Sequence, residues 1–362
     1  MKLMLTLIDK VRPVFAEEGK LSRFHPLFEA MDSFLFATPG KSPNIPYGRD
    51  PMDVKRYMSF VILALVPSLI ASVYFFGLRI LPMFVVSYVA GGAAEVLFSV
   101  IRKDEVNEGF LVTGFIFPLI LPPGVPLWIV AVGVVFGVVV GKEIFGGTGR
   151  NLFNPALVGR IFLALGYPSI MAASWIPPAQ RGSGNIFKYL TSGGSDALSS
   201  ATPLVAAKGG EYADWLDLFL GRVLGSAGET SVIAIVVGGI FLLAVGVASW
   251  RTVFSILVAF VGLTAILRAV APDSVSPVLF NLLSGGFLFG TFFMATDPVS
   301  SPVTRSGKWA YGIIIGAATV LIRSFSGFVE GMMFAVLFGN ICAPLIDEVI
   351  IRNRIRRLAR AS

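Results

Sequence analysis

The sequence predicts an all-α polytopic membrane protein of about ten transmembrane helices in two inverted five-helix repeats. Three observations carry that expectation. The 362-residue chain is 55% hydrophobic and only 14% charged, against about 25% charged in a soluble domain. Its mean hydropathy is +0.80, and its apolar runs recur at about 20 residues, the length that crosses a hydrocarbon core. Finally, GFLVTGFIFP (109–118) is echoed by GFLFGTFFMA (286–295), each third in a block of five spans. Five is odd, so the second block would be inverted, and inverted repeats place a site near the midplane. Chance recurrence of Gly and Phe is the plainer account of that echo. Because the runs are continuous rather than alternating, a β-barrel is excluded.

The elements follow in order. Residues 1–55 are charged and Pro-rich and are never apolar long enough to span, so they read as an amphipathic arm on the cytoplasmic surface. Spans are expected at 57–77, 80–101, 109–121, 125–141 and 155–173, forming a first repeat over 56–173. A polar insertion covers 174–228. The second repeat, 229–350, holds spans at 231–249, 252–271, 277–295, 309–323 and 331–350, before a basic tail at 351–362. Lys and Arg at 102–103, Lys142, Arg150, Arg251, Arg305, Lys308 and the tail all fall on one side if both termini are cytoplasmic. That orientation puts 174–228 outside. The first residues, MKLMLTLIDKVRP, hold no apolar stretch long enough for a signal peptide.

Charge and cysteine content exclude several classes. The net charge of +7 is the loop bias of a membrane protein, and no nucleic-acid partner is expected. With one Cys (Cys342) and one His (His25), the chain alone cannot build a disulfide framework, a zinc site, haem ligation or a Cys-ligated iron–sulfur cluster.

The insertion contains SGGSDALSSATPLVAAKGG (192–210), a small, hydroxyl-rich run in an apolar chain. An outside loop exposing a Thr hydroxyl in such a run is a good acceptor for a modifying enzyme, since its backbone can extend into an active site. On composition alone, a flexible or O-glycosylated loop is the simpler account. DALSSAT (196–202), however, resembles the D-x-x-[ST]-[GS]-A-T signature of flavinylated proteins.

The surroundings extend the resemblance. HPLFEAMDSFLFATPG (25–40), VNEGFLVTGFIFPLILPPGVPLW (106–128), GKEIFGGTGRNLFNPAL (141–157), FFMATDPVS (292–300) and EGMMFAVLFGNICAPLID (330–347) look like the B subunits of sodium-translocating NADH:quinone oxidoreductases. The resemblance implies FMN joined by a phosphoester to Thr202, within a motif of Asp196, Ser199, Ser200 and Ala201. It implies a flavin transferase that attaches it, and a non-covalent riboflavin held by Asn151 and Asn154. It implies quinone near Gly91 and Gly92, and sodium uptake or quinone reduction linked with Glu29, Glu95, Asp297 and Asp347. It further implies a multi-pass place in a bacterial inner membrane beside partner subunits of A, C, D, E and F type.

Each of these positions also has a local reading. GGTGRNLFNP (146–155) is a helix start with an Asn cap; no GK[ST] follows, so it is not a P-loop. Gly91-Gly92 suits helix–helix packing. Asp297 and Asp347 sit near span ends where snorkelling reaches water, while Glu95 is deeper and therefore expensive in lipid. Two rivals stand beside the sodium pump: the D subunit of an Rnf-type ferredoxin:NAD⁺ oxidoreductase, and a secondary transporter with ten spans in inverted repeats. The chain shows no NADH site of its own.

Overall fold

The computed structural model describes residues 54–103, 109–179, 184–186, 188–189, 202–272, 274–328 and 330–360. The expected arm, with Glu29, and the motif residues Asp196, Ser199, Ser200 and Ala201 lie outside them. The described elements are helical, apart from an isolated bridge between Gly77 and Tyr189. Helices α1 (Val54–Phe76) and α2 (Ile80–Arg102) form an antiparallel pair. Gly77 turns the chain between them at φ +82°, where a Cβ would come within 2.2 Å of the Lys188 carbonyl oxygen. Only glycine fits there.

Helix α3 (Gly109–Leu119) stops early because PPG follows, and α4 (Leu127–Gly141) continues after the PPGVP turn. Arg79, buried, pins that turn by donating to the carbonyls of Pro123, Gly124 and Val125 at 3.0–3.2 Å. The span expected at 155–173 is broken. It forms α5 (Pro155–Gly166) and a short α6 (Pro168–Ala173), because Pro168 pushes Tyr167 out of helical geometry. Two short helices, α7 (Pro203–Lys208) and α8 (Trp215–Leu220), then precede α9 (Val232–Val245) and α10 (Trp250–Val270).

The span expected at 277–295 is also discontinuous. Helix α11 (Val278–Leu283) ends before Ser284, Gly285 and Gly286, and α12 (Phe287–Phe289) runs on into a π-helical turn, Gly290–Met294. Helices α13 (Arg305–Phe325) and α14 (Gly331–Ala359) complete the chain, α14 absorbing most of the basic tail expected to be separate. Five helices are long and apolar enough to cross a membrane: Arg56–Phe76, Ile80–Arg102, Leu127–Phe145, Trp250–Val270 and Gly331–Ala359. The chain is a multi-pass membrane protein.

Packing follows one scheme twice. In the first half α1 and α2 both touch α3, α2 touches α4, and α5 touches α3 and α4. In the second half α9 and α10 touch the broken α11–α12 element, α10 touches α13, and α14 touches α13 and the π turn. The halves meet through α1 on α9 and α5 on α14. Small residues bring these backbones together, as expected where lipid supplies no hydrophobic drive. Gly133, Gly137 and Gly141 form one stripe of α4, and a Cβ on Gly137 would lie 2.4 Å from the Pro155 carbonyl. Aromatic residues Phe117, Phe260, Phe287 and Phe289 fill the centre, while Val85, Val89, Leu97 and Ile101 of α2 face outward as an apolar coat.

Candidate functional site: two polar cavities joined by helix α5

Helix α5 begins at a polar cavity. Asn154 caps it, Oδ1 accepting from the Ala156 and Leu157 amides at 3.0 and 3.4 Å, with Pro155 following as the first helical residue. The cap engages the amide oxygen, so the Asn154 Nδ2 group is a donor left for a ligand. Asn151, also buried, donates to the Phe153 carbonyl at 2.9 Å, which leaves its oxygen as an acceptor. Both residues line a cavity together with Tyr57, Lys142, Thr148 and Asp297. The buried Thr148 Oγ1 has no hydrogen-bonding partner among the described residues. This donor and acceptor set fits the pyrimidine edge of a flavin. The free space, about 70 Å³, is below the about 300 Å³ of ordinary ligand pockets, so a flavin ring would have to displace lining side chains.

The four acids behave differently from one another. Asp297 stands at this cavity and accepts from the Val299 amide and the Ser300 hydroxyl at 3.1 and 3.0 Å. Asp347 lies elsewhere: it accepts from the Val303 and Thr304 amides at 2.7 and 3.2 Å and so anchors the start of α13. Glu95 is buried on α2, with Oε1 2.7 Å from the Lys142 ammonium. Neither Lys142 Nζ nor Glu95 Oε2 has an aligned hydrogen bond among the described residues. Lys142 lies in the turn after α4, in the loop where the sequence placed it, yet it is only 3% exposed and lines the cavity.

Gly91 does not open onto space. A Cβ there would meet the Phe110 ring at 2.6 Å and Val134 at 2.9 Å, whereas Gly92 has only Phe110 at 3.5 Å. Gly91→Leu is therefore expected to destabilise the chain by about 1–3 kcal/mol through overpacking, with Gly92→Ala tolerated. Melting temperatures in detergent check this, and an unchanged Gly91→Leu would refute it. A Gly92→Leu variant that keeps its stability but loses quinone reduction would put quinone against this face.

Two turns along α5, Arg160 enters a second charged cluster. It is 2% exposed, donates through Nε to the Ile120 carbonyl at 2.9 Å, and grips both Glu330 oxygens through Nη2 at 2.9 and 2.8 Å. Glu229 is buried beside it, and burial first, then the nearby Glu330 charge, pushes its carboxyl up to about 8. Arg323 donates to the Asn281 and Ser284 carbonyls at 2.7 and 3.2 Å and lies over the Phe260 and Phe287 rings. Among charged residues the sequence reading weighed only Asp196, Glu29, Glu95, Asp297 and Asp347, with Lys and Arg used for orientation alone, and passed over Arg160, Glu229, Arg323 and Glu330. An arginine inside an apolar run was the available signal.

Thr202 borders this cluster. It lines a narrow crevice with Glu229, Glu330, Ser226 and Trp175, and its backbone oxygen accepts from the Val205 and Ala206 amides at 2.8 and 2.9 Å. Its side chain makes no capping bond to α7, and its hydroxyl has no partner among the described residues. On the other flank of α7 a polar cavity of about 300 Å³ is lined by Leu204, Lys208, Tyr212, Asn281, Arg323 and Ser326. Thr202 does not line this larger cavity, so a group on its hydroxyl would reach the Lys208 and Arg323 cations only around α7.

These features define a helical membrane protein in which one helix starts at a polar cavity and reaches a buried charged cluster two turns along. The match to family models gives the lineage: residues 42–356 fit the model described as the NQR2, RnfD, RnfE family. The chain belongs to that family. Its curated relatives include the B subunit of the Na(+)-translocating NADH-quinone reductase of Azotobacter vinelandii, 38% identical over 405 residues, covering 98% of each chain. The protein of that name from Pseudomonas aeruginosa is 38% identical over 406 residues, again covering 98% of each. That of Klebsiella pneumoniae is 37% identical over 409 residues, covering 97% of this chain and 98% of its own.

Proposed function

We propose that the chain is the quinone-reducing, flavin-bearing membrane component of a redox-driven sodium pump. In this reading it passes electrons from FMN on Thr202, through riboflavin at Asn151 and Asn154, to quinone. The observation that carries it is the Thr202 hydroxyl, unpartnered among the described residues, at one cavity and the paired amides of Asn151 and Asn154 at the other. Near-complete coverage by relatives named for sodium translocation supports it. Bound flavins would supply electron-carrying chemistry that no side chain here has; the protein holds them, orients them and sets their electrostatics. Asn151, Asn154 and Thr148 would hydrogen-bond the neutral ring of riboflavin.

The repeated packing scheme supports ten membrane-crossing elements in two inverted repeats, several of them broken helices of the kind that line sites in such folds. In this reading both termini are cytoplasmic, the membrane is the bacterial inner one, and a flavin transferase and further pump subunits are partners. The same architecture would suit a secondary transporter, and the Rnf D subunit shares the family; the relatives' names favour the quinone enzyme. The test is the purified complex. It should show flavin absorbance, including a fraction that survives denaturing electrophoresis, and quinone reduction stimulated by sodium. Flavin-free protein would return the chain to the transporters, and flavin without quinone reduction would favour the Rnf-type role.

A further inference from the structure

We propose that the polar cavity beside α7 seats the phosphate of a membrane phospholipid, its headgroup held between Lys208 and Arg323 and its acyl chains lying along α10 and α13. The inference stands apart from the flavin reading, because Thr202 lines the crevice on the other flank of α7 and not this cavity. The cavity encloses about 300 Å³ between α7, α11 and the end of α13, room enough for a headgroup. No acidic side chain is among its described lining residues, so its charge is wholly positive.

Both cations have donors to spare. Arg323 is 8% exposed; its two Nη atoms donate to the Asn281 and Ser284 carbonyls, and its Nε has no partner among the described residues. Lys208 spends one of its three donors on the Ser326 carbonyl, at 2.8 Å. Glu229 and Glu330 lie close enough to act on Arg323, but neither cancels its charge. Glu330 is gripped by Arg160, and burial pushes the Glu229 carboxyl up to about 8, which leaves it largely uncharged at pH 7. A buried cation left in this condition calls for an anion, and phosphate oxygens accept charge-assisted hydrogen bonds from guanidinium and ammonium alike. Tyr212, Ser276 and Ser324 add hydroxyls around the same space.

The surroundings favour a lipid over a free ion. The cavity lies where α10 and α13 end: Phe325, which lines it, is 60% exposed, and Val270, the last residue of α10, is 78% exposed. Apolar side chains exposed at the ends of membrane helices meet acyl chains. Tyr212 and Trp215, both about half exposed, are the residue types that sit at headgroup level. Two cations without a lining acid favour a headgroup of net negative charge, such as phosphatidylglycerol, over phosphatidylcholine, which brings its own cation.

The experiment titrates the assembled complex, delipidated in detergent, with phosphatidylglycerol, phosphatidylcholine or inorganic phosphate, and reads native mass spectra and melting temperature. Phosphatidylglycerol should bind and raise the melting temperature, with phosphatidylcholine about tenfold weaker. Lys208→Glu and Ser324→Asp each put a carboxylate at the cavity and should weaken phosphatidylglycerol about tenfold. Arg357→Glu, an exposed charge at the C-terminal end of α14, should leave binding unchanged. Equal binding by the parent, Lys208→Glu and Ser324→Asp would overturn the proposal, since lipid would then only coat the protein. Inorganic phosphate stabilising as well as phosphatidylglycerol would overturn the lipid assignment in favour of a free anion. Thr202→Ala should bind phosphatidylglycerol as the parent does; binding gained only in that variant would make the cavity the flavin's own seat and also overturn the proposal. A complex without any flavin would instead sink the functional reading and leave this site standing.

Discussion

Arg160→Leu is expected to be among the most damaging single substitutions in the chain. It would strip a bidentate partner from Glu330 and a donor from the Ile120 carbonyl, at the place where the two halves meet through α5 and α14. Breaking a buried pair by removing one member costs about 3–5 kcal/mol. Glu330 is 31% exposed, so water screens part of that loss and the lower end of the range applies. About 3 kcal/mol is still a large share of the roughly 5–15 kcal/mol that stabilises a typical domain. Folded yield and melting temperature in detergent measure it. Combining Arg160→Leu with Glu330→Gln should recover most of the loss, because no uncompensated charge then remains. A single variant as stable as the parent would mean that the pair contributes nothing to joining the halves.

Thr202→Ala should produce the largest functional change with little structural cost. A phosphoester needs a hydroxyl oxygen, and alanine has none. The first turn of α7 is held by the Thr202 carbonyl rather than by its side chain, so the helix should form as before. The expected outcome is complete loss of flavin fluorescence from the denatured band and quinone reduction at background, with stability changed by less than about 1 kcal/mol. Thr202→Ser, which keeps the hydroxyl, should retain part of the signal. Fluorescence that persists in the alanine variant would move the attachment elsewhere.

Much of this molecule was legible from composition and periodicity. Long uniform runs such as Ile80–Arg102 and Trp250–Val270 formed where hydropathy placed them. The misjudged spans were those where a local feature overrides hydropathy: Pro168 after Tyr167, and the Ser284-Gly285-Gly286 break that Arg323 supports by donating to the Ser284 carbonyl. A sliding average smooths over both. At the site, the structure brings Asn151, Asn154 and Asp297, three positions named from the sequence, to one cavity. Lys142 lies in the turn where it was expected, but its burial was not legible, because its partner, Glu95, is distant in sequence. Asp347, named as a site acid, anchors a helix start, a contact that depends on how α13 and α14 cross. Pairings across helices are tertiary facts, and one sequence does not contain them in readable form.

Helix α5 caps one polar cavity with Asn154 and enters the opposite charged cluster with Arg160. Six residues of α-helix rise about 9 Å, while a bilayer's hydrocarbon core is about 30 Å thick. The two polar regions that α5 touches are thus separated by far less than the thickness of a bilayer. A charge passed from one to the other would travel only about two helical turns inside the protein.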